Sequence, residues 1–530
     1  MYKFKTKFKF IDNEKWYGGC VNDGINMPYF ENKKAFDLET GNDSNQATSF
    51  FISTKGRYIY VNEPVEFEIK RNNLIISSNK EIKINECSNL KEAYLDAAKK
   101  YFNLTSNAPD MSMFSMPQYN TWIEMGYGVN EEKVLQYANG IIENGFKPGI
   151  LMIDDSWQTD YGVWEFNRAN FKNPKGMIKK LHEMGFKIML WVCPFISPDS
   201  ELFREILSKG YLIKDATNPR KPKIIEWWDG FSGCIDFTNQ EAMAWFTNCL
   251  KDLQTKYDID GFKFDAADFY FYENCKFAKG LSQAGQAFKF NELGKEFPFN
   301  EFRVAFNNQG QNNIQRLNDK NHSWENCGLN MLIPNGLAAS ILGYRFICPD
   351  MIGGGMLPDF QKKDFKFDQE LFVRYAQVAT FFPMLQFSIL PWKVLSEENL
   401  QLIKECMSLH EKLVPYIEQL VNESLKSGEP IIRPIEYEYP NCGFDEVKDM
   451  FMLGDKYIIA PCITKNKGHR IVKLPEGFWK DDEGNIFKGN KNVAISTALN
   501  RIPYFEKCVS IESVKEEPVK KNSRKRKGAE

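Results

Sequence analysis

Three stretches of the chain end an apolar run in carboxylates at spacings that could do chemistry. In Gly261-Phe262-Lys263-Phe264-Asp265, Lys263 and Asp265 are two residues apart, so in an extended chain both side chains point to one side. A cation beside a carboxylate lowers its pKa and keeps it charged, which is what a nucleophilic aspartate requires at neutral pH. An ordinary ion pair at a strand end satisfies the same spacing. Upstream, Ile150-Leu151-Met152-Ile153 runs into Asp154-Asp155-Ser156-Trp157. Downstream, Tyr344-Arg345-Phe346-Ile347-Cys348 runs into Pro349-Asp350, where Asp350 also suits a cap of the turn into Gly353-Gly354-Gly355.

These runs belong to a longer alternation. Strands are expected at 119–126, 149–154, 187–194, 261–265, 302–306, weakly at 322–324, then at 343–349 and 381–387, with helices such as 131–144 and 174–184 between them. Such alternation over nearly 300 residues fits a (β/α)8 barrel with insertions, whose catalytic groups come from the C-terminal ends of several strands. A doubly wound open sheet is the alternative, but no GxGxxG follows an early strand. Residues 1–110 show short aromatic and β-branched runs broken by Asn, Gly and Asp, which predicts a β-sandwich. Its first residues alternate lysine with aromatics, as an edge strand would, and a helix over 90–102 leads out of it. The barrel is expected over 111–428, closed by a long helix from Glu397 to about Ser427. A C-terminal β-domain follows over 429–513, and a charged tail over 514–530. The fold class is thus multidomain α/β.

Composition narrows the partners. A net charge of -2 gives no reason to expect nucleic acid, and no run of about 18 apolar residues suggests a membrane span. The 14% aromatic share suits a pocket lined with rings. The 12 cysteines are scattered without CxxC pairs, and 4 histidines leave few transition-metal ligands. No metal or cofactor is expected, and reduced thiols point to the cytoplasm.

The motifs together resemble glycoside hydrolase family 31. Phe262-Lys263-Phe264-Asp265 looks like that family's nucleophile motif. In the family's order come Asp154-Asp155-Ser156-Trp157, Phe171-Lys172-Asn173-Pro174 leading to Leu190-Trp191-Val192-Cys193-Pro194, and Pro349-Asp350-Met351-Ile352-Gly353-Gly354. Phe451-Met452-Leu453-Gly454-Asp455 and Leu474-Pro475-Glu476-Gly477-Phe478-Trp479 are similar to its C-terminal domain. Segments at Ser323-Trp324, Leu332-Ile333-Pro334 and Pro391-Trp392 resemble a branch with α-galactosidase-like members. The resemblance implies a retaining mechanism on a small α-glycoside or oligosaccharide. An α-galactoside is preferred, with α-glucosides, α-xylosides and sulfoquinovosides as alternatives. It makes Asp265 the nucleophile and gives Lys263, Asp154, Asp155 and Asp350 contacts to sugar hydroxyls. Trp191 and Trp324 become stacking rings.

The general acid departs from the family's pattern. An Asp is expected three residues beyond the Trp of the sixth-strand segment, and that count from Trp324 reaches Cys327. A thiol with an ordinary pKa of about 8.5 is a poor proton donor to an ether oxygen. Glu325 is the preferred substitute, with Asp319 next. Alternatively the count is misplaced, or the chain is a sugar-binding homologue that has lost ordinary hydrolysis. The family's arginine near this strand is best matched by Arg316.

Overall fold

In the computed structural model, residues 2–30, 34–40, 45–465 and 467–509 are described; the expected charged tail over 514–530 lies outside them. Eight parallel strands follow one another around a barrel: β1 (Gln118–Asn120), β2 (Ile150–Ile153), β3 (Lys187–Val192), β4 (Gly261–Phe264), β5 (Asn300–Phe302), β6 (Ile314–Arg316), β7 (Phe346–Cys348) and β8 (Gln386–Phe387). Each pairs with the next, β8 returns to β1, and a parallel bridge from Met351 to Gln386 brings the last two strands together. The strands are almost wholly buried, as expected where helices cover the outside and side chains fill the inside. Gly261 opens β4 because a Cβ there would sit 2.0 Å from the carbonyl of Phe299, the residue just before β5.

Local signals set most of the helices. Helix α1 (Leu90–Tyr101) is capped by Asn89 and α2 (Glu131–Glu143) by Asn130, each side chain accepting an amide of the first turn. Helix α3 (Pro174–Glu183) starts with proline after the Asn173 cap, and α4 (Glu397–Ser427) ends at Gly428 in the left-handed conformation.

The alternation fails at one place. Between β5 and β6 the chain forms no helix; Ala305–Phe306 instead pairs in parallel with Gln46–Ala47 of the N-terminal region. The sixth strand therefore lies at Ile314–Arg316, well before the expected 322–324. Two of its three residues are buried polar groups, Gln315 and Arg316, so it carries no apolar run to signal a strand.

The N-terminal region holds two sheets that meet through Phe51 and Phe67, rings 4.9 Å apart at 69°. Phe4–Lys9 lies at the edge of the four-stranded sheet, paired with Asn73–Ser78. Beyond α4, a six-stranded and a two-stranded sheet enclose a separate apolar core around Trp479, Phe505 and Met452.

Candidate active site

The C-terminal ends of β2, β3, β4 and β6, with the segment after β5, converge on a cavity of about 410 Å³ lined by Asp154, Asp155, Trp191, Lys263, Asp265, Arg303, Arg316 and Asp319. Its volume falls in the range of small-molecule sites. Trp122 and Tyr127 after β1, Trp228 from a hairpin between β3 and β4, and Met356, Leu357 and Pro358 form its apolar walls.

Trp191 and Lys263 are opposite each other in the β3–β4 register, which places both side chains in the mouth. The Trp191 indole donates to Asp265 Oδ2 at 2.8 Å. Lys263 Nζ lies 2.6 Å from Asp154 Oδ2 and 3.9 Å from Asp265 Oδ2, so its closer partner is Asp154. Immediately after Asp265, Ala266 and Ala267 both take positive φ, 56° and 63°, a backbone cost found where a site dictates the turn. The Ala266 amide donates to Asp265 Oδ1 at 2.8 Å.

Two arginines tie the carboxylates together. Arg316 Nη1 is 2.6 Å from Asp319 Oδ1 and 2.8 Å from Asp350 Oδ1. Arg303 Nη1 stands 3.6 Å from Asp265 Oδ1 and 3.6 Å from Asp319 Oδ2. Burial alone would raise the Asp265 pKa, but Arg303, Lys263, Arg316 and the Trp191 hydrogen bond overcome it and hold the carboxyl well below its ordinary range. Asp319 is likewise raised by burial and lowered on balance by Arg316 and Arg303, with the charge of Asp265 pushing the other way. Asp155 behaves oppositely: burial, a hydrogen bond and charge from Asp229, and the charge of Asp154 push it well up, against a 3.1 Å hydrogen bond from Tyr161.

Of the residues anticipated from sequence, Asp154, Asp155, Trp191, Lys263 and Asp265 line one cavity. Asp350 does not line it. It is wholly buried at φ 78°, accepting Arg316 and the Lys320 amide at 2.8 Å each, so it steadies the loop that carries Asp319. Trp324 is outside the cavity, with its indole donating to Asp368 at 3.0 Å. Glu325 is exposed and Cys327 also stands away from the lining; the Cys327 thiol accepts the Asn318 amide at 3.2 Å. With the sixth strand at 314–316, the count from Trp324 no longer starts in that strand, and the carboxylate that follows the strand and lines the cavity is Asp319. Arg303 and Trp228 were missed. The only signal for Arg303 is a cation just after a buried strand, and Trp228 gives none.

These features define a parallel eight-stranded barrel whose C-terminal mouth gathers facing carboxylates, matched cations and aromatic walls around one cavity. Residues 111–420 match the glycosyl hydrolases family 31 TIM-barrel domain and residues 428–511 that family's C-terminal domain, and the chain belongs to this family. It is 33% identical over 423 residues to the mouse myogenesis-regulating glycosidase, covering 77% of this chain and 58% of the relative. It is 23% identical over 492 residues to the sulfoquinovosidase of Escherichia coli, covering 87% of this chain and 71% of that one. In structure it superposes on a Flavobacterium johnsoniae dextranase complexed with glucose with a TM-score of 0.82 at 21% identity, over 95% of this chain and 66% of that one.

Proposed function

We propose that the protein is a retaining α-glycosidase in which Asp265 is the nucleophile and Asp319 the acid and base, with α-galactosides the preferred substrates. The observation that carries this reading is Arg303 Nη1 standing 3.6 Å from an oxygen of each carboxylate. That shared nitrogen limits the two oxygens to about 7 Å, compatible with the ~5–5.5 Å spacing at which one carboxylate reaches the sugar directly.

Asp265, kept ionised and oriented by the Trp191 indole, attacks the anomeric carbon while Asp319 gives its proton to the departing oxygen. For that step Asp319 must be protonated. A sugar filling the cavity removes water from its side chain, and the charge of Asp265 pushes the same way. Once the glycosyl-enzyme has formed, the Asp265 charge is gone and Arg316 and Arg303 draw Asp319 back to the carboxylate. In that form it takes a proton from the incoming water.

Asp154 and Asp155 sit on neighbouring positions at the end of β2, where they accept hydrogen bonds from sugar hydroxyls remote from the scissile bond. A hydroxyl missing from such a partner leaves a buried polar group unpaired, which discriminates strongly between sugars. A sulfonated sugar would meet these carboxyls, and the adjacent Lys263 is already paired with Asp154. This favours neutral sugars over sulfoquinovosides. The α-galactose preference rests on the resemblance of the 323–334 and 391–392 segments.

The test combines turnover and trapping. Aryl α-galactosides, α-glucosides and α-xylosides are compared, and an α-galactosyl substrate fluorinated at C2 is used to stall the intermediate for peptide mass spectrometry. The expected adduct lies on the peptide containing Asp265. An adduct elsewhere, or turnover with inversion, refutes the assignment.

A further inference from the structure

The nucleophile segment continues Asp265-Ala266-Ala267-Asp268, and its last residue has no part in the two steps above. Asp268 is 3% exposed, and both its oxygens are engaged. Oδ2 accepts Arg303 Nε at 2.9 Å; Oδ1 receives the same Nε at 3.3 Å and the side-chain amide of Asn45 at 3.0 Å. Asn45 belongs to the N-terminal region. Its neighbour Gln46 donates to the backbone carbonyls of Arg303 and Arg316, and Gln46–Ala47 pairs with Ala305–Phe306. The N-terminal region thereby reaches the carbonyl of Arg303 directly and its guanidinium through Asp268.

What remains of Arg303 faces the reacting carboxylates. Its Nη1 is 3.6 Å from each, beyond ordinary hydrogen-bond distance, and the Trp228 ring covers the guanidinium at 5.2 Å. An arginine free of other partners closes onto a carboxylate at about 2.7–2.9 Å, often through two nitrogens. Asp268 is the group that takes up Nε and prevents that closure.

We propose that Asp268, oriented by Asn45, is a positioning residue that holds Arg303 off Asp265 and Asp319 and so keeps Asp319 able to take up the proton of the first step. The proposal rests on the glycosidase reading of this site. The charged groups facing Asp268 are Arg303, Asp265 and Asp319. Without the Asp268 charge, Arg303 moves onto the two catalytic carboxylates and makes both harder to protonate. Asp319 then loses its proton at lower pH, and the basic limb of the rate profile moves to acid.

The experiment compares wild type, Asp268→Asn and Asn45→Ala by kcat and KM against pH, on an unactivated α-galactoside and on an aryl α-galactoside with a good leaving group. For Asp268→Asn the basic limb of kcat, which reports the substrate complex in which Asp319 is protonated, should fall by about one pH unit. kcat on the unactivated substrate should drop about 10- to 100-fold with KM little changed, and the aryl substrate should suffer less. Asn45→Ala, which removes one hydrogen bond and leaves the carboxylate in place, should show the same shift to a smaller degree. It also serves if Asp268→Asn does not fold. Limbs that stay in place in the folded variants overturn the proposal, whatever happens to the rate. Failure of the underlying reading looks different: wild type then turns over none of these glycosides, or Asp265→Asn keeps the wild-type rate, and the proposal falls with it.

Discussion

Replacing Asp319 by Asn separates its proposed role as the acid from every other role in the site. The amide keeps the shape of the carboxyl and its oxygen still accepts one bond from Arg316, which also retains Asp350 at 2.8 Å and Glu301 at 3.5 Å. Arg303 retains Asp268 at 2.9 Å. No buried cation is left without a carboxylate partner, so the variant should fold. Catalysis is another matter. General acid help is worth roughly 10²- to 10⁴-fold, or about 2.7–5.5 kcal/mol of barrier at about 1.36 kcal/mol per factor of ten. That full loss should appear on an unactivated α-galactoside, whose leaving alkoxide needs a proton. An aryl α-galactoside with a good leaving group should lose far less in kcat/KM, because its first step needs little acid. Glu325→Gln and Cys327→Asp belong in the same assay. Glu325 is exposed and Cys327 is outside the cavity lining, so both variants should stay within a factor of two or so of wild type. If Asp319→Asn keeps its rate on the unactivated substrate, or Glu325→Gln loses it selectively, the assignment of the acid is wrong.

Three further outcomes follow from the same geometry. Asp154→Asn leaves the buried Lys263 with only the Asp265 carboxylate at 3.9 Å, so kcat/KM should fall by about 10²-fold or more through lost sugar contacts, as steady-state kinetics with the preferred substrate will show. Gly355→Ala would put a Cβ 2.8 Å from Asp350 Oδ1 and 3.1 Å from Asp319 Oδ1; activity should drop while thermal unfolding changes little, and unchanged activity would show that the floor of the site gives way. Asp268 is raised by burial to about 6 despite Arg303. Its folded pKa exceeds its unfolded value of about 3.9, so it contributes stability that is present below about pH 4 and lost as pH rises through 6. Asp268→Asn should flatten the pH dependence of unfolding across that window in denaturant titrations; an unaltered slope counts against the shift.

The two carboxylates proposed for catalysis reach the mouth by different kinds of constraint. Asp265 follows a buried parallel strand whose hydrogen bonds extend to it, its amide donating to the Val192 carbonyl at 2.9 Å. Asp319 sits in a loop and owes its place to Arg316, Asp350 and the Lys320 amide. The loop is therefore the part of the site most sensitive to substitutions outside the cavity.

Periodicity and termini alone determined much of this protein. Helices α1 to α4 lie where Asn caps, Pro174 and Gly428 place them, and β2, β3, β4 and β7 lie where apolar runs end in polar residues, because these are local effects of backbone geometry and burial. The spacing of Lys263 and Asp265 was also legible, since two residues of a strand must share a face. What sequence could not supply was the gap between β5 and β6. There a strand with one apolar side chain is held by its neighbours, and a connection without a helix pairs with the N-terminal sheet. Both are stabilised by contacts more than two hundred residues away in the chain, such as Gln46 to the Arg316 carbonyl. Counting from an expected strand at 322–324 led to Cys327, whereas the folded chain brings Asp319 beside Asp265 by way of Arg303. Charge pairs of that kind depend on where the barrel closes in three dimensions, so only the tertiary structure decided which carboxylates share the cavity.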